Sequence, residues 1–264
     1  MSSAEVRHKD LRADFGKTAS DYGRHRAGFP DEFFDRLTAM GILRAGMSAL
    51  DLGTGTGTVA RGLALRGCDV VGLDRSAPLM EQAAELDRAA GVVVKYVNAA
   101  AEVTRLPASE FDLVTAGQCW HWFDRPRAAA EARRVLKPGG RLVIAHFDWI
   151  PLAGNMVEAT EKLIEKHNPK WKLAGGKGIY PDWPRDLALA GFRSIETFSF
   201  DIDAIYTHEA WRGRIRASAG VGASLASDAV AAFDEELRAM LAESWPIDPM
   251  PVPHRVFAAI GVAP

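Results

Sequence analysis

Cysteine is scarce: Cys68 and Cys119 are the only two in 264 residues. They do not form a metal-type pair. Two thiols in a chain of this size point to a reducing compartment rather than a disulfide framework. No apolar run approaches the ~20 residues that cross a bilayer. The stretch from Met1 to Leu11 is polar and charged, so no signal peptide is expected. A net charge near −2, with no basic block, leaves no electrostatic footprint for nucleic acid. Repeats and low-complexity stretches are missing as well. These absences predict a soluble, cytoplasmic protein, monomeric or homodimeric, with neither a nucleic-acid nor a membrane partner.

What is present is an ordinary globular composition, 48% hydrophobic and 25% charged, and one stretch around which the chain is organised. In Ala49-Leu50-Asp51-Leu52-Gly53-Thr54-Gly55-Thr56-Gly57-Thr58 an apolar strand enters a glycine turn and the turn opens a helix. Glycines at alternate positions let backbone approach a ligand that side chains would hold off. The helix start offers unpaired N–H groups to an anion. Asp51, just before the turn, can accept from a cation. The set suits a ligand with both a carboxylate and an ammonium.

Strand and helix signals then alternate. Strands are expected at Ser48–Leu52, Asp69–Asp74, Val92–Val97, Phe111–Thr115 and Arg141–His146, with helices at Thr56–Arg66, Pro78–Ala90 and Arg127–Leu136. Helix stops fall at Gly67, Gly91 and Pro138-Gly139-Gly140. Continuous Val/Ile/Leu runs spaced by single helices indicate a parallel sheet covered on both faces, with its ligand at the carboxyl ends of the strands. Beyond His146 we expect helices at Asn155–Lys166, Arg185–Ala190, Thr207–Ala217 and Ser227–Ser244, and strands at Ser194–Phe200 and His254–Ile260. The loop from Asn168 to Trp183 is long enough to be a lid. The organisation predicted is one domain over residues 1–264, in three parts. A helical flap covers 1–40, a cofactor-binding core 41–146, and substrate-side insertions with the last two strands 147–264. The flap includes a short helix at Asp10 to Lys17.

Asp51-Leu52-Gly53-Thr54-Gly55-Thr56-Gly57 resembles the first motif of class I S-adenosylmethionine-dependent methyltransferases. Val70-Val71-Gly72-Leu73-Asp74, Asn98-Ala99-Ala100-Ala101-Glu102, Phe111-Asp112-Leu113-Val114 and Arg134-Val135-Leu136-Lys137-Pro138-Gly139-Gly140-Arg141-Leu142 resemble the later motifs, in order. The resemblance implies an α/β, Rossmann-like, seven-stranded and mostly parallel sheet. Its last strand is antiparallel and lies between strands five and six. It also implies S-adenosyl-L-methionine held by Gly53, Thr54 and Gly55, with Asp51 on the ammonium, Asp74 on the ribose hydroxyls and Arg75 beside the adenosine. Ala101, Glu102 and Gln118 are further donor contacts, and Tyr22 and Arg26 reach it from the flap. The family has an acid where this chain has Ala100, so the adenine contact falls to the backbone near Ala101 or to a neighbour. A dinucleotide-binding dehydrogenase and a non-catalytic S-adenosylmethionine-binding protein remain alternatives. The former wants glycine where Thr58 stands.

The acceptor side rests on polar residues at the same strand edge. His121 lies in Trp120-His121-Trp122-Phe123 after strand four, His146 ends strand five, His208 begins a helix, and His254 begins the last strand. Arg212 and Arg216 are one helical turn apart and suit a single carboxylate. Trp-His-Trp-Phe after strand four resembles aconitate-type carboxyl O-methyltransferases. The tail, with Thr207-His208-Glu209-Ala210-Trp211 and Pro253-His254-Arg255-Val256, resembles 2-oxo acid C-methyltransferases. The predicted substrate is a small acidic molecule. One chemistry is metal-free carboxyl O-methylation. The other places a divalent metal on Gln118, His208 and His254 to hold an enolate, with His121 or His146 as base.

Overall fold

The computed structural model describes residues 28–264, so Tyr22, Arg26 and the expected helix at Asp10 to Lys17 lie outside the described residues. In chain order the elements are α1 (Asp31–Ala39), β1 (Ser48–Leu52), α2 (Thr58–Leu65), β2 (Asp69–Asp74), α3 (Ala77–Ala90), β3 (Lys95–Asn98) and β4 (Phe111–Gly117). A 3₁₀ turn at Trp120–Trp122 precedes α4 (Arg125–Val135), β5 (Leu136–Trp149), α5 (Met156–His167) and α6 (Asp182–Leu189). Then come β6 (Arg193–Tyr206), α7 (His208–Arg216), α8 (Ser227–Ser244) and β7 (Met250–Val262). The strands form one seven-stranded sheet in the order β3-β2-β1-β4-β5-β7-β6. Strands β1 to β5 pair in parallel. β7 runs antiparallel to β5: Gly139 N donates to Ala263 O, whereas Ile150 N donates to Pro253 O. The expected Rossmann-like topology, with the last strand between five and six, is therefore present.

Local chemistry explains most boundaries. Burial of four consecutive residues in β1 is what a central parallel strand requires. α3 has proline in its first turn and ends at Gly91, whose φ of 71° is the left-handed conformation of a helix stop. α4 is capped by Asp124, which accepts from Arg127 N. Asn155 and Thr207 cap α5 and α7 in the same way. β5 differs from expectation. It begins at Leu136, and Pro138-Gly139-Gly140 lies within it rather than ahead of it. The register against β4 slips between Phe111 and Leu113, and Gly139 has φ 77°. A bulge absorbs the residues that look like a helix stop.

Two compact units emerge. One comprises residues 28–147, 180–199 and 256–264. Its core is built from β1, β4 and β5 residues such as Leu50, Leu52, Val114 and Ile144, with Trp120, Trp183 and Phe257. The other, described over 148–179 and 200–255, has its own core. There Trp211 and Ile215 of α7 meet Phe233, Leu237 and Leu241 of α8 and Ile164 of α5. β5, β6 and β7 each contribute to both units.

Candidate active site

The first unit carries the glycine turn. Gly53, Gly55 and Gly57 have φ of 63°, 54° and 77°, values that strain any residue with a side chain. A side chain on Gly53 would begin 2.9 Å from the Cys119 Sγ and from the Phe123 ring. Above Gly55 the space is open, with no described atom within 4 Å of where a side chain would begin. The turn is therefore tight on one side and bare on the other, which makes a backbone cradle. α2 starts only at Thr58, and its cap, Gly57, has no side chain to offer the helix N–H groups.

Two carboxylates frame the cradle. Asp51 is buried and accepts from Thr115 Oγ1 at 2.7 Å. Burial raises its pKa from 3.8 to about 6, against the opposing pull of the Thr115 and Thr54 hydroxyls and the Ala60 N–H. Asp74 binds the turn itself: Gly55 N donates to its Oδ2 at 2.8 Å and Ser76 N to its Oδ1 at 2.9 Å. Both oxygens already hold backbone, but a carboxylate has about four lone-pair directions, so each retains capacity for a ligand hydroxyl.

Other predicted donor contacts have structural duties of their own. Thr54 is buried, and its N–H donates to Leu73 O. Arg75 is exposed between β2 and α3, and Ala101 is buried. Glu102 Oε1 accepts from Asp124 N at 2.9 Å, beside the start of α4. Gln118 has a left-handed backbone, φ 59°, and its side-chain amide donates to Phe147 O. Its N–H donates to Ala145 O at 2.8 Å, which fastens the end of β4 to β5.

At that end of β4 and β5 an aromatic group gathers. The rings of His121 and His146 lie 5.2 Å apart, and Trp122 is 4.8 Å from His121. Tyr180 Oη sits 3.0 Å from His146 Nδ1. The Tyr180 ring stacks on Trp183 at 4.1 Å and 11°. Tyr180 was not among the expected site residues. It lies in the loop before α6, and nothing in its neighbourhood in the sequence marks it.

In the second unit the remaining expected residues have partners within the protein. Arg212 and Arg216 do share a carboxylate, but it is the protein's own. Arg212 holds Asp234 through Nε at 3.1 Å and through Nη2, Arg216 reaches Asp234 Oδ1 at 2.7 Å, and Glu209 takes a bond from each. The pair clamps α7 to α8. The metal reading finds no support: among the described residues no group of three or more His, Cys, Asp or Glu could hold a metal ion. His208 Nε2 faces the backbone oxygens of Trp245 and Ile247 at 2.9 and 3.2 Å, so that nitrogen serves as a donor. His254 is buried, with Nδ1 2.8 Å from Val252 O and its ring stacked on Tyr206. Burial pushes its pKa down to about 4, so it is neutral near pH 7.

Comparison with known proteins places this geometry. Residues 50–144, from the glycine turn to β5, match the methyltransferase domain family. An uncharacterized methyltransferase of Mycobacterium tuberculosis is 38% identical over 155 residues, 56% of this chain and 60% of that protein. The match thus spans less than two thirds of this relative's length. The malonyl-[acyl-carrier protein] O-methyltransferase of Salmonella typhimurium is 33% identical over 192 residues, 72% of this chain and 71% of the relative. The fold resembles phosphoethanolamine N-methyltransferase 2 of Haemonchus contortus in complex with S-adenosylhomocysteine. The TM-score is 0.55 and the identity 20%, covering 95% of this chain and 57% of that one. A cradle open at Gly55, an acid on either side of it and these likenesses lead to one conclusion: the chain belongs to the class I S-adenosylmethionine-dependent methyltransferases.

Proposed function

We propose that the chain transfers the methyl group of S-adenosylmethionine to the carboxylate of a small organic acid. The observation that carries this reading is the His121–His146 pair with Tyr180 behind it. When bound, the donor supplies an electrophilic methyl group on a sulfonium, a good leaving group, so the protein's tasks are alignment and charge. Asp51 would accept from the ammonium and Asp74 from the ribose hydroxyls. The N-terminal end of α2 would take the carboxylate, with the open space above Gly55 giving it room. Arg75, Ala101, Glu102 and Gln118 would line the rest. An acid acceptor arrives ionised and needs no base. It needs N–H donors to hold it, and His121 and His146 can provide them. If the Tyr180 hydroxyl donates to His146 Nδ1, the ring's proton sits on Nε2. The Salmonella relative's name, an O-methyltransferase of a malonyl group, supports a carboxyl acceptor.

The same contact favours a second reading. If Nδ1 carries the proton and donates to Tyr180, then Nε2 is an acceptor and His146 a general base. That state suits a carbon nucleophile, such as the enol of a 2-oxo acid. A panel of carboxylic and 2-oxo acids with methyl-labelled donor separates the two. Mild alkali releases label from an ester and leaves it on carbon. A chain that binds the donor yet labels no acid in the panel refutes both.

A further inference from the structure

Register places four residues in one transverse row across the donor half of the sheet. Thr115 of β4 is the partner of Asp51 of β1, Asp51 of Gly72 of β2, and Gly72 of Tyr96 of β3. Their side chains share a face. Thr115 donates to Asp51. Gly72 has no side chain, and the Tyr96 ring occupies the vacated place: a Cβ on Gly72 would stand 2.7 Å from Tyr96 Cε1 and 2.9 Å from Cδ1. An aromatic residue of an edge strand thus covers a glycine on its neighbour.

From there the contacts return to the glycine turn. The Tyr96 hydroxyl stands 2.7 Å from where a Gly57 side chain would begin. It donates to Asp87 Oδ2 of α3 at 2.6 Å. Arg61 of α2 pairs with Asp87 Oδ1 at 2.9 Å and donates to Thr56 O, inside the turn, at 2.8 Å. Asp87 is buried and Arg61 largely so. Burial and the neighbouring Asp87 both raise the pKa of Tyr96, so the phenol keeps its proton and acts as a donor. The turn is held from beneath by Tyr96 and tied at Thr56 by Arg61. No part of this brace is one of the donor contacts proposed above.

We propose that Tyr96, acting through Asp87 and Arg61, is a positioning residue that sets the shape of the glycine turn and hence the affinity for S-adenosylmethionine. Calorimetric titration of the full chain with the donor tests it. Tyr96→Phe removes the hydroxyl and keeps the ring over Gly72. The donor Kd rises about tenfold, the worth of one hydrogen bond to a charged group. Gly72→Ala forces the ring away and raises Kd at least as far. Adding Tyr96→Phe to Asp87→Ala, which leaves the hydroxyl no acceptor at 87, changes Kd no further, because the two act as one unit. Urea unfolding of each variant supplies the folded fraction. A brace with a merely structural role would lower stability and leave the Kd of the folded molecules unchanged. Wild-type Kd in folded Tyr96→Phe overturns the proposal, whether or not Gly72→Ala folds.

Discussion

Asp51 should destabilise the protein it serves. Its carboxyl lies in the sheet interior, where its pKa rises from 3.8 to about 6 because burial disfavours the charge. At about 1.4 kcal/mol per pH unit, holding it ionised in the fold costs about 3 kcal/mol. The sign follows from proton binding. Below about pH 4 folded and unfolded chains both hold the proton, and no difference exists. Between about pH 4 and 6 the unfolded chain has lost it and the folded chain has not, so stability falls as pH rises. Above about pH 6 the full cost is present. Asp51→Asn cannot ionise, and its amide oxygen still accepts from Thr115 Oγ1. At about pH 8 the variant should therefore unfold up to about 3 kcal/mol later than the wild type, up to about 6–12 °C in Tm. Near pH 4 the two should converge. The gain comes with a loss, because the ammonium partner is gone and donor affinity should fall at least about tenfold. Urea melts of both proteins at the two pH values, with donor titrations alongside, measure all of it. A variant no more stable than wild type at about pH 8, or a difference that does not change with pH, refutes the assignment of a strained buried carboxylate.

Other outcomes follow from single contacts. Glu131 is held by Arg134 and Thr104, and chiefly the Arg134 bond draws its pKa down to about 2. Glu131→Gln should cost up to about 3 kcal/mol at neutral pH, a difference that disappears as pH falls from about 4.5 to 2. Burial works against Asp234, yet Arg212 and Arg216 hold its pKa below the ordinary carboxylate value. Asp234→Ala should cost about 1–3 kcal/mol in urea melts, leaving two half-buried guanidinium groups with only the exposed Glu209 to share. Tyr180→Phe removes the hydroxyl from His146 Nδ1. Turnover should fall about tenfold, with a shifted pH–rate profile if His146 is the base; an unmoved profile would favour the carboxylate reading.

Much of the fold was legible because its signals are local. Apolar runs, caps such as Ser/Thr/Asn before a helix, and glycines after one mark elements within a few residues. Asp51 and Asp74 were legible because they stand at the carboxyl ends of the first two strands, Asp51 one residue before the last and Asp74 at the last. What sequence hides is pairing at a distance. Asp234 lies eighteen residues beyond Arg216, and helix spacing alone predicted the arginines' common carboxylate but not that α8 supplies it. The backbone partners of the histidines in the second unit, Trp245 and Ile247 for His208 and Val252 for His254, are equally invisible in the sequence. Tyr96 and Gly72 became meaningful only through register, since a shift of one residue would turn both to the other face. Thr115, a hydroxyl on the strand Phe111–Gly117, likewise gains its meaning only from the register that sets it beside Asp51.

The three strands shared by both units have a consequence for how the molecule is made. The unit bearing the glycine turn draws on residues 28–147, 180–199 and 256–264, and β7 fills a place inside the sheet between β5 and β6. No contiguous fragment ending before β7 contains that sheet. During synthesis the five parallel strands must wait, with the outer edge of β5 unpaired, for a partner that begins about a hundred residues after β5 ends. Contacts this distant slow folding and prolong the exposure of sticky intermediates. The yield of native protein in a cell should therefore depend on chaperones that shelter the waiting strands.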